Sequence, residues 1–116
     1  MTAFNLNRYL SDNTNLREGW REHMLLDGFR QVKPIKCADG LTLSAQASTT
    51  HYCSPRDGTG PWVSVEVGFP SERIEELMEY AENPDEPTKT VYGWVPVEVV
   101  ERIVEAHGGI ISPCPV

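Results

Sequence analysis

The sequence predicts one α+β domain over residues 1–116, an antiparallel sheet of three to five strands with helices packed on one face, in the order ααβββαβαβ. Three observations carry that expectation. Asp39-Gly40 lies between two runs that alternate apolar and polar residues, a hairpin signature. Trp62, Val63, Val65, Val67 and Phe69 around Ser64 and Glu66 read as a strand with a buried face. Two stretches, Ile74/Leu77/Met78/Ala81 and Val97/Val100/Ile103/Val104, carry apolar stripes at helical spacing.

Taken in order, residues 1–10 form a short helix with Phe4, Tyr9 and Leu10 as its apolar contributions, broken by the turn-favouring Ser11-Asp12-Asn13-Thr14-Asn15. A second helix follows, with Asn15 as N-cap, Glu18 three residues on, a Leu16/Trp20/Met24 face, and Gly28 as its stop. Residues 30–47 read as the hairpin, and Pro34, which cannot donate to a ladder, marks an edge or bulged first strand. With the strand at 62–69 these make an antiparallel meander. Pro70-Ser71 then opens a helix through Ala81 with Ser71 as N-cap, and Asn83-Pro84-Asp85-Glu86-Pro87 stops it in an exposed acidic connection. Thr90-Val91-Tyr92-Gly93-Trp94-Val95 is the next strand, with Gly93 marking a bulge or a close backbone approach. Pro96 occupies the first position of the last helix, which ends at Gly108-Gly109 before a short closing strand at Ile110-Ile111. Trp20, Trp62 and Trp94 all fall in apolar-patterned elements and are expected in the core.

Charge is unevenly spread. Residues 1–36 hold six Lys/Arg and four Asp/Glu, whereas residues 37–116 hold four and thirteen, a net of +2 against −9. Such a balance argues against direct nucleic-acid binding, which needs basic surface to displace counterions from phosphates. It suits a partner protein with a basic surface. On a helical wheel Glu72, Glu75, Glu76, Glu79 and Glu82 share one arc opposite the apolar stripe, and Asp85 and Glu86 prolong it. No Lys is interleaved, so the strip reads either as a solvated face or as a surface that imitates a row of phosphates.

The loop from Ser48 to Pro61 is long for a connection between neighbouring strands and gathers His51, Tyr52, Cys53, Arg56 and Asp57. Tyr52 and Arg56 are residue types enriched at interface hot spots, so they join the acidic residues as expected partner contacts. Neither catalytic residues nor a cofactor is expected. His51 and Cys53 are two apart and point to opposite sides of an extended chain, a poor start for a nucleophile and its base. His51, Cys37, Cys53 and Cys114 lack the C-x₂₋₄-C spacing of zinc sites. A small enzyme or metal-dependent protein built on the His51/Cys53 loop, and a self-associating component such as a homodimer, are the alternatives. No apolar run reaches the roughly 18 residues of a membrane helix, the start lacks a signal-peptide pattern, and three cysteines fit a reducing compartment, so a cytoplasmic protein is expected.

The stretches His51-Tyr52-Cys53-Ser54-Pro55-Arg56, Val65-Glu66-Val67-Gly68-Phe69-Pro70 and Val91-Tyr92-Gly93-Trp94-Val95-Pro96 resemble uncharacterised accessory proteins of bacteriophages and prophages. The resemblance implies a bacterial host cytoplasm and an interaction role. By analogy with that group it implies an inhibitor of a host defence protein or nucleic-acid-binding defence complex, as anti-CRISPR proteins are.

Overall fold

A computed structural model describes residues 4–12, 34–47, 51–56 and 60–111. The helix expected at 15–28, with Trp20 and His23, lies outside the described residues, as do Asp57 and Cys114. Helix α1 spans Leu6–Asp12, running two residues into the 11–15 stretch read as its break. Strands β1 (Ile35–Lys36), β2 (Thr42–Gln46), β3 (Ser64–Gly68) and β4 (Val91–Pro96) form one antiparallel sheet in sequence order, so the meander extends to four strands. A 3₁₀ helix, Glu75–Tyr80, bridges β3 and β4, and helix α2, Val97–Ala106, follows β4 directly. The fold is α+β.

Pairing fixes which side chains share a face, because directly opposed residues point the same way. Ile35 opposes Leu43, Ala45 opposes Val67, Val65 opposes Val95, and Val67 opposes Tyr92. All seven are buried and form the sheet's contribution to the core. Leu6, Tyr9 and Leu10 of α1 and the expected Val97/Val100/Ile103/Val104 stripe of α2 complete it. Leu6, fully buried, was not among the apolar residues read for the first helix.

Backbone tethers hold these layers together. Glu101 and Glu105 of α2 accept hydrogen bonds from the backbone N–H groups of Leu6 and Phe4, at 2.9 and 3.0 Å. Leu6 is the first residue of α1, where helical N–H donors have no internal partner, so the Glu101 carboxylate satisfies one of them and favours the helix dipole, while Glu105 holds the segment just ahead of it. Asn7 makes a reciprocal pair with Trp62, its Oδ1 accepting from the Trp62 N–H at 2.7 Å and its Nδ2 donating to the Trp62 carbonyl at 3.0 Å. The C-terminal end of α2 docks on the β1–β2 turn. Ala38 N–H donates to Gly109 O, Asp39 N–H to His107 O, and His107 Nδ1 lies 2.6 Å from Asp39 Oδ2. The Leu41 N–H and then His107 lower the Asp39 pKa. Gly108, at φ 92°, passes so close to the turn that a Cβ there would stand 2.8 Å from that of Ala38.

Four sequence expectations are corrected. The helix read from Pro70-Ser71 to Ala81 is a 3₁₀ helix of six residues with Ile74, not Ser71, as its N-cap. Ser71 instead serves β2: its N–H donates to Thr42 O and its Oγ accepts from the Thr42 N–H. At the other end Ala81 is extended and bridges to Tyr92. Tied to the sheet at both ends, the segment takes the helix with the longer rise, about 2.0 Å per residue against 1.5 Å. The second correction is Pro96, which is the N-cap of α2 rather than its first residue. The third is the closing strand, which reduces to a bridge between Ile110 and Cys37. The fourth is Trp94, expected in the core and found 51% exposed, because the β4 bulge turns it outward.

Candidate functional site

The acidic segment depends on its 3₁₀ geometry. At three residues per turn, positions three apart eclipse and the segment presents three rows. Ile74, Leu77 and Tyr80 make the inward row. Met78, partly buried, lies with Glu75 on a flanking row, and Ala81, just beyond the helix, is partly buried too. Glu76 and Glu79 lie on the outward row and Glu82 follows beyond the helix; all three are exposed. Glu72, expected in the first turn of the helix, precedes it and is also exposed.

Glu75 differs from its acidic neighbours in having an ion-pair partner. Arg73 Nε lies 2.6 Å from its Oε1, and this pairing holds the Glu75 carboxyl below the usual range. The expectation of five carboxylates on one arc of an α-helix is corrected, because the segment is a 3₁₀ helix and Glu75 pairs with Arg73. The strip consists of Glu72, Glu76, Glu79 and Glu82, continued by Asp85 and Glu86, and every one of them is exposed. Among the described residues no ion pair involves Glu72, Glu76, Glu79, Glu82, Asp85 or Glu86.

The connection that carries the last two is ordered. Glu82 N–H donates to Val91 O at 3.0 Å, and Asn83 N–H donates to Thr90 Oγ1 at 3.1 Å. Asn83 Oδ1 accepts from the Asp85 N–H, and the Glu86 N–H donates to Asn83 O. The buried Tyr92 donates its hydroxyl to Pro87 O, and burial pushes its pKa up, so the hydroxyl stays a donor. The sequence marks 83–87 as an exposed acidic connection. Asn83, Thr90 and Tyr92 tie that connection to itself and to β4.

The second group surrounds Tyr52. Its ring stacks on Trp94 with centroids 5.0 Å apart and planes at 25°. The Tyr52 carbonyl accepts from the Trp94 N–H at 3.0 Å, and the Tyr52 N–H donates to Glu66 Oε1 at 3.0 Å. Ser54 continues the contact as a bridge to Ser64. Gly93 is the close approach expected of it: a Cβ there would lie 3.4 Å from Tyr52 Cβ. Trp94 and Phe69 both take φ 50°, and both are exposed aromatics. A bulky residue in the left-handed region costs about 1–3 kcal/mol and is more often found where function requires it. Arg56 is exposed beside this group in sequence. Trp94 and Glu66 were missed as site residues because simple strand alternation places Trp94 inward.

His51 and Cys53 do not make an accessible catalytic pair. The Cys53 side chain is buried and its thiol donates to Pro55 O at 3.4 Å. Burial lowers the His51 pKa, against a smaller upward pull from Glu66. Cys37 is buried too, and burial raises its thiol pKa, which leaves it protonated and inert. Among the described residues no group of three or more His, Cys, Asp and Glu side chains is placed to hold a metal ion. No helix among them is long and apolar enough to cross a membrane. The chain matches no protein-family model, no curated protein and no solved structure.

Proposed function

We propose that the protein is a non-catalytic binding protein whose acidic strip docks on a basic surface of a partner protein and blocks it. The observation that carries this reading is the strip itself: six exposed carboxylates, from Glu72 to Glu86, on a segment pinned at Ser71, Ala81, Asn83 and Pro87. A merely solvating surface needs no fixed shape, whereas a row of negative charges that competes for a phosphate-binding groove does. Pre-ordering also removes an entropic cost of binding. The burial of the Cys37 and Cys53 thiols weighs on the side of binding. The partner class implied by the sequence resemblance is a nucleic-acid-binding defence complex of a bacterial host.

Capture from a bacterial lysate tests it, with wild type and a Glu76→Gln/Glu79→Gln/Glu82→Gln variant as parallel baits. The expected result is a basic protein retained by wild type, released by raised salt and depleted on the variant. Equal retention of every captured protein by the two baits would remove the acidic strip from the function.

A further inference from the structure

The bulge in β4 builds something the acidic strip does not need. Val65 pairs with Val95 and Val67 with Tyr92, so one residue of β3, Glu66, faces two of β4, Gly93 and Trp94. The extra residue turns the indole out of the core, at φ 50°, a conformation suited to glycine or asparagine rather than to tryptophan. Gly93 leaves room for Tyr52, which stacks on one face of the indole. Two hydrogen bonds, from the Trp94 backbone N–H to Tyr52 O and from the Tyr52 backbone N–H to the Glu66 side-chain Oε1, fix the three residues relative to one another. Trp94 remains 51% exposed and Tyr52 38% exposed, so the pair is an aromatic surface open to solvent.

We propose that this aromatic pair anchors an arginine side chain of a basic protein partner, the guanidinium lying flat on the open face of the Trp94 indole with Glu66 as its counter-charge. The proposal rests on the reading above that the partner is basic, and adds a second contact with a defined chemistry. Three features select arginine. Indole is the strongest aromatic acceptor for a cation, and a planar, weakly hydrated guanidinium can stack on it as a compact ammonium cannot. Glu66 is half-buried, and its second carboxylate oxygen makes no hydrogen bond among the described residues, so a purely apolar occupant would cover a charge without pairing it. The surrounding sequence, residues 37–116, carries a net charge of −9, which attracts a cationic segment.

The test uses the full chain with capped hexa-arginine and hexa-lysine peptides, following the indole N–H signals by NMR. Hexa-arginine is expected to move the Trp94 indole signal and to bind severalfold more tightly than hexa-lysine. Trp94→Gly, which suits φ 50°, should keep the fold and weaken hexa-arginine binding about tenfold, between the worth of an exposed and of a desolvated cation–π contact. Glu66→Gln preserves an acceptor for the Tyr52 N–H and should weaken binding severalfold with no change in thermal stability. The Glu76→Gln/Glu79→Gln/Glu82→Gln variant separates the two contacts: it lowers affinity for both peptides but leaves the Trp94 shift at saturation intact. A Trp94 signal that stays still at saturating hexa-arginine, or that shifts identically and with equal affinity for hexa-lysine, would overturn the anchor while leaving the strip standing.

Discussion

Truncating Trp62 is the sharpest test of how the two halves of the fold are joined. The indole is 3% exposed, just ahead of β3. A tryptophan buries up to about 250 Å², which at about 25 cal/mol/Å² is worth roughly 6 kcal/mol against an extended chain. A more compact unfolded state trims that to about 4–5 kcal/mol, within the 3–5 kcal/mol seen when large aromatics are cut to alanine. The hydrogen bonds to Asn7 use the Trp62 backbone, so Trp62→Ala removes the ring and leaves the tether. Asn7→Ala does the reverse and should cost about 1–3 kcal/mol, the penalty of leaving part-buried backbone groups unpaired. With a urea slope near 2 kcal/mol/M, the midpoints should fall by about 2 M for Trp62→Ala and about 1 M for Asn7→Ala. An unchanged midpoint for Trp62→Ala would refute the burial on which the core description stands.

Three further outcomes are expected. Gly108→Ala should cost about 2–3 kcal/mol, from left-handed strain plus the contact with Ala38, and Ala38→Gly in that background should recover the contact part in thermal melts. His51 has a folded pKa below its unfolded value, so the unfolded chain binds the proton more readily. Its contribution to stability is therefore present above the unfolded pKa of about 6.5 and lost as pH falls through that value towards the folded one, and His51→Gln should flatten this part of a urea-midpoint profile between pH 8 and pH 5. Asp39 acts in a lower window: its depressed pKa contributes stability above about 3.9 that disappears as pH falls through the folded value, and Asp39→Asn should remove this acid limb from the same profile.

Local chemistry made much of the fold legible. Asp39-Gly40 set the hairpin, Val65 and Val67 set the inward face of β3, and the Val97-to-Val104 stripe and its Gly108 stop defined α2. The 3₁₀ helix escaped because apolar residues at 74, 77, 78 and 81 satisfy a period of 3.0 as well as 3.6 over so short a stretch. What decides between them is a pair of distant tethers, Ser71 to Thr42 and Ala81 to Tyr92, which no local pattern reveals. The same error hid the Arg73–Glu75 pair, since residues two apart do not meet on an α-helix but do meet where an extended residue leads into the helix. Glu76, Glu79, Glu82, Asp85, Glu86 and Tyr52 were readable as exposed candidates. Trp94 was not, because a bulge inserts one residue and reverses the alternation on which strand reading depends.

Association kinetics against the captured partner test the central claim most directly. Rates would be measured for wild type, Glu75→Gln and the Glu76→Gln/Glu79→Gln/Glu82→Gln variant, at about 20 mM and about 500 mM salt, where the Debye length falls from roughly 20 Å to about 4 Å. At low salt the triple variant should associate about three- to tenfold more slowly than wild type, with dissociation little changed, and the gap should close at high salt. Glu75→Gln removes one negative charge and leaves Arg73 unpaired, so it should slow association at low salt too, by less than the triple variant. Equal association rates for wild type and the triple variant at low salt would contradict the account and leave the strip a solvated face.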